Sequence, residues 1–123
     1  MNDADLCKIE VSIGAILPES YRQFMQKYPE DLLQIAGDFE FLTEADCIVK
    51  LNEDLRKMPF YQGKSWPDRL FAIGENGCED YYFLDLKDST GAVLFVDHET
   101  MNHEIVAPNV EEWVQKLLKE LRP

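Results

Sequence analysis

The 123-residue sequence predicts an α+β fold: a single twisted, mainly antiparallel sheet packed by N-terminal, central and C-terminal helices. Three observations predict it. Apolar residues in the first half and near the C-terminus recur at helical spacing. From Leu70 onward the period changes to two, the alternation of half-buried strands. Turns of a few residues join the strand candidates, which suits antiparallel neighbours and leaves no room for the crossover helix that parallel strands need.

Each element has its own signal. Leu6, Ile9 and Ile13 mark a first helix, and Gly14 can end it in the left-handed conformation. Pro18 suits the first turn of a second helix, whose apolar stripe is Tyr21, Phe24, Met25 and Tyr28 and which Pro29 stops. Residues 30–38 read as a connecting loop and Phe39 to Leu42 as a short strand. Thr43, with Asp46 three residues on, is a variant capping box that opens a central helix carrying Ile48, Leu51 and Leu55. Pro59 and Gly63 end it, and Phe60 to Asp68, with Tyr61 and Trp66, reads as an aromatic-rich loop.

The second half predicts a strand at Leu70 to Ile73, a turn at Gly74 to Gly77, and a strand at Asp80 to Leu86. A turn at Asp88 to Gly91 leads into a strand at Ala92 to Val96, and a last strand covers His103 to Ala107. Asn109 caps the final helix, with Glu112 at its third position, and Trp113 is the largest anchor of its apolar face. Along the strands, Tyr82, Leu84 and Leu86 share one face and Tyr81, Phe83 and Asp85 the other; in the next strand Leu94 and Val96 oppose Val93, Phe95 and Asp97. Both faces carry aromatics, but only one ends in carboxylates. One face is expected under helices, and the other partly covered or open as an acid-edged aromatic surface on which a partner docks.

Composition narrows the function. Hydrophobic residues at 46% are enough for a packed core in a chain of one domain. Against 24 acidic residues stand 12 basic ones, a net charge of −12. That excludes a duplex nucleic-acid binder, which needs Lys or Arg at each phosphate contact, and an anionic membrane surface. The charge is uneven: residues 28–54 and 75–104 each carry net −7, and Arg56, Lys57, Lys64 and Arg69 form a basic island between them. Side by side, two such blocks would steer a basic protein toward the chain. No apolar run reaches the roughly 18–20 residues of a membrane helix, and the N-terminus is acidic where a signal peptide is basic, so a cytoplasmic location is expected.

Each residue type capable of chemistry here has a plainer role. His98 and His103, with Asp97, Glu99 and Glu104, are metal-ligand types, but their spacing matches no established site. Gly74 and Gly77 lack a nearby cation and sit among Glu75, Glu79 and Asp80, which repel phosphate. Cys7, Cys47 and Cys78 form no C-x-x-C pair, and carboxylates around Cys78 disfavour its thiolate. No catalytic triad or ligand set assembles, so a binding module without a cofactor is expected rather than an enzyme.

Several stretches together resemble a known family. Ile13-Gly14-Ala15-Ile16-Leu17-Pro18-Glu19-Ser20-Tyr21 resembles the G-x-x-LP-x-x-Y helix start of the SUKH superfamily, which includes the fungal cell-wall synthesis regulator and many bacterial immunity proteins. Phe71 to Asp85 resembles its IG-x-x-G-x-GD signature, Val93 to Glu99 the following strand, and Asn109 to Leu118 the terminal helix. Glu79 departs from the pattern, standing where the family has glycine. The resemblance implies one SUKH-like domain over residues 1–123 and a non-enzymatic role. For a bacterial member that role is neutralising a toxin, often a nuclease or deaminase; for a member like the fungal branch it is that of a regulatory adaptor. The expected partner is a basic toxin domain, engaged by Glu75, Glu79, Asp80, Asp85, Asp97 and Glu99, with Trp66 as an aromatic anchor and the chain itself a monomer or weak dimer.

Overall fold

The computed structural model describes residues 1–27, 42, 44–57, 69–75, 81–88, 90–97 and 102–121. Within them are helices α1 (Asp3–Ile13), α2 (Glu19–Lys27), α3 (Ala45–Lys57) and α4 (Val110–Leu121), and strands β1 (Leu70–Glu75), β2 (Tyr81–Asp85), β3 (Val93–Val96) and β4 (His103–Ala107). The strands form one antiparallel sheet in the order β1-β2-β3-β4. Chain order and sheet order coincide because each connection is short, so the α+β architecture holds.

Local chemistry accounts for the helix ends. The Asn2 side chain accepts from the Asp5 N–H at 2.8 Å and starts α1. Gly14 ends it with φ +69°, and its N–H donates to the Glu10 carbonyl at 2.9 Å. Asn109 accepts from the Glu112 N–H at 2.8 Å and starts α4. The turn between β2 and β3 closes on Gly91, at φ +73°, with Asp88 Oδ1 accepting from the Thr90 N–H.

Helices α1, α2 and α4 and one sheet face share the larger core, where Leu6, Ile9, Tyr21, Met25 and Trp113 bury against Phe71, Leu84 and Val93. Trp113 is 2% exposed and lies 4.7 Å from Tyr82, ring to ring, while Tyr21 meets Phe71 edge-on at 5.4 Å. The opposite face holds a smaller core of Leu55, Leu70, Ala72, Phe83 and Val96. Helix α3 runs beside α1 in the same direction: Lys8 pairs with Asp46, Ser12 donates to Glu53, and the Arg56 guanidinium donates to the Ile13 carbonyl. Its Asn52 is buried against Ala72 on the outer side of β1.

Three expectations change. Gly74 and Glu75 belong to β1, not to a turn: a bulge at Ile73 resets the register, so Gly74 lies opposite Tyr82 and Glu75 opposite Tyr81. Leu86 falls outside β2; its N–H turns to the Arg69 carbonyl. The terminal carboxylates do not share a face: Phe83 lies opposite Leu94 and Tyr81 opposite Val96, so Asp85 belongs with Leu94 and Val96, and alternation places Asp97 on the other face. Tyr28, Pro29, the 30–38 loop, Phe39, Thr43, Pro59, Gly63, the 60–68 loop and Cys78 lie outside the described residues.

Candidate protein-binding surface

Sheet register sorts the candidate carboxylates. Reading across the strands, Glu75, Tyr81, Val96 and His103 form one row. Glu75 is exposed, Tyr81 is half-buried edge-on to Phe83, and Asp97 follows Val96 directly. The Asp97 N–H donates to the Asn102 carbonyl at 3.2 Å, closing the β3–β4 connection. Glu75 and Asp97 therefore mark the same end of the sheet.

Asp85 does not join them. It ends β2 where β1 begins, opposite Leu70 and four residues from Tyr81, roughly 13 Å at the usual strand rise. Neighbouring antiparallel strands finish at opposite ends, so the last residues of β2 and β3 cannot meet. The Asp85 carboxylate, 12% exposed, accepts from Arg69 Nε at 3.2 and 3.1 Å, from Arg69 Nη2, and from the Lys87 N–H at 2.9 Å. The hydrogen bond from Arg69 holds its carboxyl below the usual carboxylate range, the Lys87 N–H and the nearby positive charges add to this, and burial opposes it. Its charge is spent on fastening β1 to β2. Glu79, Asp80, Glu99, Trp66 and His98 lie outside the described residues.

Glu44, from the other acidic block, follows a segment that is tied to β1 by a backbone hydrogen bond. The bulge at Ile73 turns its carbonyl out of the sheet, where it accepts from the Leu42 N–H at 3.0 Å. Glu44 stands two residues beyond Leu42, and Glu75 two residues beyond Ile73. This bond ties the chain leading into Glu44 and α3 to the stretch of β1 that ends at Glu75. A groove of about 310 Å³ is lined by Met1, Asp5, Lys8, Glu44, Ala45 and Asp46. Asp5 and Asp46 sit in the first turns of α1 and α3, where the positive end of each helix dipole favours a carboxylate. Lys8 pairs with Asp46, and that bond raises the ammonium above its ordinary pKa.

Asp5, Glu44 and Asp46 are members of the surface that sequence reasoning did not single out. For Glu44 and Asp46 the signal was the charge count of residues 28–54; Asp5 lies outside that block and had none. Among the described residues, no three metal-ligand types come together, and Cys7 and Cys47 are exposed free thiols. No helix among the described residues is long and apolar enough to cross a membrane.

A protein-family profile described as the SMI1 / KNR4 family (SUKH-1) matches residues 1–116. Neither a curated protein nor a solved structure matches the chain.

Proposed function

We propose that this chain, which belongs to the SMI1 / KNR4 family (SUKH-1), is a non-enzymatic immunity-type protein that neutralises a basic toxin domain through its acidic sheet end. One observation carries the reading: the hydrogen bond between Leu42 and Ile73 ties the chain leading into Glu44, from one acidic block, to the stretch of β1 that ends at Glu75, from the other. Glu44 and Asp46 come from one block and Glu75 and Asp97 from the other. A nuclease or other phosphate-handling toxin presents a basic cleft, and clustered carboxylates can occupy it in place of nucleic acid. Dispersed carboxylates would speed encounter far less, because fields add only when their sources are close relative to the Debye length, about 8 Å at physiological salt.

The test is co-expression with the product of the adjacent gene, followed by binding measurements at low and high salt. A toxic neighbour that is bound, inactivated and released as salt rises supports the reading. Harmless neighbours and several weak partners would point to an adaptor of the cell-wall-regulator kind. Tight binding indifferent to salt would remove the electrostatic mechanism.

A further inference from the structure

We propose that β4 is a docking edge for an extended segment of the partner, one that alternates apolar and basic residues and adds a fifth strand to the sheet. The proposal rests on the binding role argued above and names the form of the contact.

Ala72, Phe83, Leu94 and Ile105 form one row across the sheet on the smaller-core face. Ala72 and Phe83 are buried, Leu94 is half-buried, and Ile105 is 67% exposed. Among the described residues β4 is the last strand, and His103, Glu104 and Ile105 are exposed in succession, so both faces of this stretch are open. Beyond them the register shift at Val106 and Pro108 close off further pairing.

Charge then selects the occupant. Soluble proteins commonly guard an open edge with lysine. No Lys or Arg stands between Lys87 and Lys116, a stretch that spans β3, β4 and the start of α4. Asp97, Glu104, Glu111 and Glu112 stand there instead. A second copy of the chain would bring another net charge of −12 to the same edge, so self-pairing is opposed. A basic segment is favoured. Strand alternation sets its pattern: apolar residues on the side of Leu94 and Ile105, basic residues on the side of Glu104. The row through Glu75, Tyr81 and Val96 ends at His103, so this edge continues from the acidic sheet end.

The experiment uses a synthetic peptide of alternating lysine and valine, titrated into the isotopically labelled chain. Expected are amide shifts and slowed hydrogen exchange at His103 to Ile105, weakening of at least about tenfold in Ile105→Lys, and loss of binding when alternate peptide amides are N-methylated. Shifts confined to Asp5, Glu44 and Asp46 and indifferent to N-methylation would overturn the edge proposal, as would no binding or self-association through β4. With the adjacent-gene toxin, protection that survives Ile105→Lys but fails in Glu44→Lys/Glu75→Lys sinks the edge and keeps the immunity role. A wild-type chain that gives no protection sinks the immunity role itself.

Discussion

The side-chain amide of Asn52 serves as a strand partner for Ala72. Its Oδ1 accepts from the Ala72 N–H at 2.8 Å, and its Nδ2 donates to the Ala72 carbonyl at 3.0 Å and to the Ile48 carbonyl at 2.9 Å. The outer edge of β1 is thereby satisfied without another strand at that residue, and α3 is locked to the sheet. Replacing Asn52 with Ala strands two buried backbone groups, so Asn52→Ala should lose about 3 kcal/mol in chemical denaturation. Asn52→Asp keeps the acceptor but loses the donor, and should be destabilised as well. A loss under 1 kcal/mol for Asn52→Ala would show that water replaces the amide.

Asp85 should govern part of the acid limb of stability. Its carboxyl is depressed in the native state, so its contribution is complete above the unfolded value of about 3.9 and is lost as pH falls through the lower native value. Asp85→Asn should flatten stability against pH below about pH 4. Arg69 is half exposed, so the cost at neutral pH should be about 1 kcal/mol. In Arg69→Gln, an NMR titration should find the Asp85 carboxyl closer to its ordinary range.

Two glycines at positive φ separate strain from crowding. A Cβ at Gly14 would meet nothing within 4 Å, whereas one at Gly91 would lie 2.5 Å from the Ser20 hydroxyl oxygen. Gly14→Ala should cost only the backbone term, about 1–2 kcal/mol. Gly91→Ala should cost more, and adding Ser20→Ala should recover the excess but not the backbone term. Full recovery in that double variant would mean the turn had changed conformation.

Tyr21 is buried with its hydroxyl lacking a hydrogen-bond partner among the described residues, and burial raises its pKa. Tyr21→Phe keeps the edge-on contact with Phe71 and removes an unsatisfied polar atom. Its stability should equal or exceed wild type, by up to about 1 kcal/mol. A clear loss in thermal unfolding would mean that the hydroxyl is hydrated through a buried water.

Charge reversal should act on encounter more than on persistence. Glu44→Lys and Glu75→Lys alter exposed carboxylates, so folding stability should stay within about 0.5 kcal/mol. Association with a basic partner should slow severalfold at low salt, with little change in dissociation. Stopped-flow mixing at two salt concentrations measures both.

Local patterns carried much of this molecule. Leu6, Ile9 and Ile13 announced a helix by spacing, Gly14 its end, Asn109 the start of α4, and the alternation through Tyr81 to Asp85 a strand, because such signals arise within a few residues. The net charge and its two acidic blocks were equally plain in the sequence. Tertiary structure alone decided what those pieces meet. The bulge at Ile73 kept Gly74 and Glu75 in β1 and sent a carbonyl to Leu42, which tied the approach to α3 to the sheet. Antiparallel pairing parted Asp85 from Asp97 and left Arg69 to neutralise the former. Asn52 resembled any polar residue of a helix until β1 lay against it, and Ile105 any core isoleucine until β4 became the last strand. Each of these depends on contacts between residues far apart in the chain, and neither composition nor periodicity encodes which distant segment will arrive.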